Sequence, residues 1–146
     1  MITHHDWGRP AFKIQDSKTK AGIREVPISS KLLPLYAHLL TLSDEKNGYF
    51  FAGGKNKYNN RLDYLSKQFG RLKKSLGYDG RHVFHSFRKT VTTELHRAGC
   101  GLGIIPYIVG HETGSITYDI YSAGPSMEQK KAAIEKLSFD FDYHLD

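Results

Sequence analysis

The sequence predicts an α+β fold, mainly α-helical, with a small N-terminal antiparallel β-hairpin or sheet. Three observations carry that expectation. Apolar residues recur at helical spacing through most of the chain. Two short runs of branched and aromatic residues flank a polar loop near the start. No repeat, low-complexity block or linker divides the 146 residues, so 1–146 reads as one unit.

Taken in order, Phe12 to Gln15 and Ile23 to Ile28 are the two strands, and Asp16 to Gly22 is the lysine-bearing turn between them. Ser30 is placed to cap a helix through Leu32, Leu35, Tyr36, Leu39 and Leu40, which ends in the polar stretch Ser43 to Gly48. Tyr49 to Phe51 is a brief apolar segment before the basic loop Gly53 to Lys57, which suits a solvated turn and a phosphate contact equally. A second helix follows through Leu62, Leu65, Phe69, Leu72 and Leu76. From Ser86 to Ala98 the helical spacing returns through Phe87, Val91 and Leu95, and Gly99 suits a left-handed helix end. A short helix from Ile104 to Val109 breaks at Gly110-His111. Ser115 would cap another short turn carrying Tyr118 and Tyr121, and a last helix spans about Ser126 to Leu137 before the alternating Phe139, Phe141 and Tyr143.

The overall balance is basic: 21 Lys and Arg against 15 Asp and Glu give +6 and an isoelectric point near 9.4, which favours a polyanionic partner. Cys100 is the one cysteine, so neither an intrachain disulfide nor a multi-cysteine zinc site can form, and a reducing, cytoplasmic setting is expected. No apolar run is long enough to cross a bilayer. The His82-x-x-His85 pair lacks an acidic or cysteine partner at ligand spacing, so no metal is expected.

Cleaving a phosphodiester without a metal requires a nucleophile, cationic groups around the non-bridging oxygens and an acid for the leaving alkoxide. His85 and Arg88, three residues apart, share a face once that segment is helical, where both can meet one anion. On its own such a pair is common. Its context is not: Arg97-Ala-Gly99, the apolar turn Ile104 to Val109, Gly110-His111 and Ser115 to Tyr121 follow in order, with Tyr121 ten positions after His111.

That series resembles the tyrosine recombinase, or phage integrase, family. The family's pattern is a His-x-x-Arg opening a helix, a Leu-Gly-His turn, and the nucleophilic tyrosine roughly nine or ten positions beyond. Ser17 to Ile28, with its lysines and Pro27, is similar to the family's hairpin, so the resemblance covers nearly the whole chain. It implies a recombinase catalytic-domain fold, double-stranded DNA as partner, a tetramer on DNA for the full-length protein, and no cofactor. By the same resemblance Tyr121 is the nucleophile that forms a 3′-phosphotyrosyl link. Arg88 braces the scissile phosphate through two donors. His85 lies beside it as a hydrogen-bonding or proton-transfer partner, and His111 donates to a non-bridging oxygen. Lys18 is the first choice for the leaving group's acid and Lys20 the second. Tyr118 is read as a packing aromatic. Arg24, between the apolar Ile23 and Val26, is read as surface or phosphate-contacting rather than catalytic.

One family feature has no counterpart. No Thr-Gly-x-Arg segment precedes the hairpin, and Arg9 in Trp7-Gly-Arg-Pro10 does not match it. The expectation is therefore the C-terminal part of a longer catalytic domain, short of one phosphate-bracing cation. Such a loss is worth about 3–4 kcal/mol of transition-state stabilisation, so the isolated chain is expected to be weak or inert. Competing readings are a non-catalytic DNA-binding remnant and a type IB topoisomerase-like enzyme. The final helix suits packing either on its own chain or on a neighbouring protomer.

Overall fold

The computed structural model describes residues 2–4, 9–42, 57, 62–112 and 123–139. Three strands, β1 (Ile2–His4), β2 (Pro10–Ile14) and β3 (Arg24–Pro27), form an antiparallel sheet in that order. The β2–β3 hairpin pairs Phe12 with Val26 and Lys13 with Glu25, the latter pair bridged at 3.4 Å. Strand β1 goes beyond the hairpin expected from the sequence. It aligns Ile2 with Phe12, and its three residues are too short a run to signal a strand without the β2 edge they pair with.

Between the strands, Lys20–Gly22 winds into a single 3₁₀ turn. A second 3₁₀ turn, Ser30–Leu32, leads into α1 (Leu33–Leu42). Its cap is Ser29 and not Ser30: the Ser29 hydroxyl accepts from the Lys31 amide, while Ser30 is engaged by Glu135. The expected second helix is α2 (Leu62–Ser75). Helix α3 (His85–Arg97) ends as its sequence suggests, with Gly99 at φ 73°. The Gly99 amide donates to His96 and the Cys100 amide to Leu95, which satisfies carbonyls the helix would otherwise leave open. Helix α4 (Ile105–Val109) stops at Gly110. Helix α5 (Met127–Glu135) begins with a reciprocal capping box between Ser126 and Gln129.

The core gathers Leu95 and Cys100 from α3 and its cap, Ile105, Ile108 and Val109 from α4, and Ala133 and Ile134 from α5, with Val26 of β3 against it. The last helix therefore packs on its own chain. Polar contacts fix it there. Lys131 Nζ donates to the Ile28 carbonyl at 2.7 Å and also pairs with Glu135, which accepts from the Ser30 amide at 2.7 Å and the Ser30 hydroxyl at 2.6 Å. Several expected features lie outside the described residues: Tyr49 to Phe51, the loop Gly53 to Asn56, the turn capped by Ser115 with Tyr118 and Tyr121, and Phe141 and Tyr143 of the tail.

Candidate functional site

Helix α3 opens at His85, so Arg88 lies one turn further along on the same side. His85 is exposed, whereas Arg88 is partly buried and its Nε has no hydrogen-bond partner among the described residues. A buried charged donor left unmatched is costly, which makes an anion the natural complement of this guanidinium.

The second contribution comes from the end of α4. There Gly110 takes up φ 75° and ψ 39°, a left-handed conformation that favours glycine, and both its amide and that of His111 donate to the Pro106 carbonyl. This turn directs the chain so that His111 stands near α3. Its imidazole pKa is lowered, first by partial desolvation and then by the charges of Arg88, His85 and Arg24. At neutral pH the neutral ring, carrying one donor N–H, is accordingly favoured.

Arg24 supplies a second permanent cation beside Arg88. Contrary to its expected surface placement, it is half-buried: Nε donates to the Ile108 carbonyl at 2.9 Å and Nη1 to the Gly22 carbonyl at 2.7 Å. The strand period explains the difference, because Arg24 shares a face with the core-packed Val26. Burial and the neighbouring Arg88 charge both lower its pKa. Lys130 of α5 completes the group. Its Nζ donates to the Glu25 carbonyl at 3.2 Å, and its pKa is lowered by burial, raised in part by Glu25, and lowered again by Arg24. Sequence reading missed Lys130 altogether, since a lysine on an amphipathic helix ordinarily faces solvent.

Arg88, Arg24 and Lys130 bring cations together from three elements, α3, β3 and α5, with the His111 donor beside them, an arrangement that selects for a concentrated negative charge. Lys18 is exposed in the bend before the 3₁₀ turn and Lys20 is exposed at its first position. Neither side chain makes a hydrogen bond or ion pair among the described residues. His82 does not join His85; its Nδ1 lies 3.0 Å from Asp79 Oδ1 and its ring is 4.8 Å from that of Tyr78. Among the described residues, no three His, Cys, Asp or Glu side chains come together at metal-binding spacing, and no helix is long and apolar enough to cross a membrane.

Residues 2–126 match the phage integrase family. The chain belongs to that family. A tyrosine recombinase XerC-like protein of Caldanaerobacter subterraneus subsp. tengcongensis is 32% identical over 139 aligned residues, covering 85% of this chain and 34% of that protein. The chain thus spans about a third of the length of that curated relative. No solved structure matches it significantly. Within an integrase-family catalytic domain, the mainly helical fold with a small antiparallel sheet is the expected architecture, and the matched span includes Lys18, His85, Arg88, His111 and Tyr121.

Proposed function

We propose that this chain carries out the chemical step of site-specific DNA recombination or integration, as part of a longer recombinase that acts as a tetramer on double-stranded DNA. The observation that carries the reading is the buried, unmatched Nε of Arg88 beside two further cationic or donor groups, Arg24 and His111. A phosphodiester is the form in which DNA presents such an anion.

In the reaction, the Tyr121 oxygen attacks the scissile phosphorus and its phenolic proton passes to the His85 imidazole. The P–O bond to the 5′ oxygen breaks as the bond to tyrosine forms. Lys18, or Lys20 in its place, protonates the departing alkoxide, which leaves a 3′-phosphotyrosyl link and a free 5′-hydroxyl. Arg88 and neutral His111 donate to the non-bridging oxygens as negative charge grows on them. Attack by the 5′-hydroxyl of another strand reverses the step and completes the exchange. A tyrosine hydroxyl has an ordinary pKa of about 10, so the surrounding positive charge is what favours the attacking phenolate.

The test is trapping of the covalent intermediate. The chain, with an upstream segment that supplies the missing arginine joined to it, is incubated with a pool of nicked duplexes of randomised sequence, whose short released strand cannot religate, and any protein–DNA adduct is mapped by mass spectrometry. The DNA should be found on Tyr121, Tyr121→Phe should abolish the adduct, and Arg88→Ala should slow its formation by roughly 10²–10³-fold. An adduct that survives in Tyr121→Phe would overturn the nucleophile assignment. Salt-sensitive DNA binding with no adduct would indicate a binding remnant instead.

A further inference from the structure

Arg24 links parts of the chain that are far apart in sequence. From β3, its Nε reaches the Ile108 carbonyl at the end of α4, and its Nη1 reaches the Gly22 carbonyl at the end of the lysine loop. The same guanidinium lies directly against Gly110, where an added Cβ would fall 2.6 Å from Arg24 Cζ. It is held there although burial and the Arg88 charge both disfavour it. Were Arg24 a solvating surface group, its flexible stem would carry the charge outward, away from Arg88. Two backbone carbonyls keep it inside.

We propose that Arg24 is a positioning residue: its guanidinium fastens the Gly110–His111 turn to the end of the loop that bears Lys18 and Lys20, setting the separation of the phosphate-holding imidazole and the leaving-group acid. The chemical meaning of that separation rests on the cleavage reading above. The fastening itself does not, and it can be measured without DNA. An arginine is required because the three donors of a lysine ammonium leave one nitrogen on a flexible stem, and cannot reproduce the separate Nε and Nη1 donors that the rigid guanidinium fork aims at the two carbonyls.

The charged and titratable groups around His111 are Arg88 and His85 on α3, Arg24 on β3, and Glu112 next in the chain. The Arg24 charge lowers the His111 pKa, so its removal raises that pKa, whereas a lysine at the same position retains the charge. Two variants of the 146-residue chain therefore separate grip from charge. In both R24K and R24M, the Gly110 and His111 amides, which share the Pro106 carbonyl, should exchange with solvent roughly tenfold faster than in the wild type. The Cys100 amide, bonded to Leu95 at the far end of α3, should be unchanged. By NMR titration, the His111 imidazole should move upward in R24M and stay near its wild-type value in R24K.

Unchanged protection at Gly110 and His111 in R24K would overturn the fastening, and R24K decides the matter even if R24M does not fold. In the adduct assay, R24K should lower the rate of adduct formation. Failure of the wild type to cleave any duplex, with the exchange result intact, would sink the cleavage reading and leave the fastening. Cleavage by R24K at the wild-type rate with unchanged protection would do the reverse.

Discussion

Leu95 and Phe87 occupy the same helix and meet opposite surroundings. Leu95 is 0% exposed, enclosed by Cys100, Ile105, Ile108 and Ile134, whereas Phe87 is 57% exposed. Phe87 instead stands in a loose aromatic group with Phe69 and Phe84, at ring separations of 5.6 and 5.8 Å. It also borders a groove of about 380 Å³ lined by Leu72, Leu76, Tyr78 and Val83. The C-terminal half of α3 thus anchors the core, while the N-terminal half bears His85 and Arg88 of the candidate site. The core anchor and the candidate site lie at different ends of one helix, so substitutions can address them separately.

The strongest way to break that contrast is Leu95→Ala, which should cost about 2–5 kcal/mol in urea unfolding through the cavity it leaves. A loss of similar size at Phe87 would erase the distinction. Next is acid. Partial burial pushes the Glu135 carboxyl upward, but hydrogen bonds and charge from Lys131 and hydrogen bonds from Ser30 outweigh it and hold the pKa at about 2, below the ordinary 4.5. A carboxyl whose folded pKa is depressed contributes stability that is complete above the unfolded pKa and lost as pH falls through the folded one. The window is therefore pH 4.5 down to about 2. With solvent screening of this partly exposed group, the contribution is about 1–2 kcal/mol, and the stability difference between wild type and Glu135→Gln should vanish across that window.

Smaller effects sharpen the comparison. Ser126→Ala removes the capping box of α5 and should cost about 1 kcal/mol by thermal melting, with no change in the environment of Arg88. Phe87→Ala should cost less than about 1 kcal/mol, since more than half of its surface is exposed and its ring contacts, one tilted and one edge-on, are with partners that are themselves partly exposed. If its melting midpoint dropped as far as that of Leu95→Ala, α2 would have to be counted as part of the core.

Much of this organisation could be read from local sequence. The helical spacing around Val91 and Leu95, Gly99 as a cap, the break at Gly110 and the Ser126 start all depend on residues within a turn or two of one another. What could not be read depended on partners far along the chain or on the geometry of a sheet edge. Strand β1 is formed by pairing with β2. Ser30 was displaced from its capping role by Glu135, separated from it by 105 positions. Arg24 is instructive because part of its placement was readable: a period of two puts it with Val26, on the face toward the core. Its carbonyl partner at Ile108, 84 positions away, was not. Of the candidate site, the sequence order singled out His85, Arg88 and His111 as candidates, whereas Lys130 gave no local signal because its acceptor is a backbone carbonyl of β3.

The side-chain contacts from α5 to β3 and the turn after it carry a kinetic consequence. Lys131 meets Ile28 across a separation of 103 positions, and Lys130 meets Glu25 across 105. Contacts of such high contact order form late, after the loop between them has closed. The Glu25 and Ile28 carbonyls therefore gain their lysine donors only once α5 has docked. During synthesis these contacts stay open until α5 has left the ribosome, so the strand and the helix that meet in them are among the last parts of the described fold to be joined.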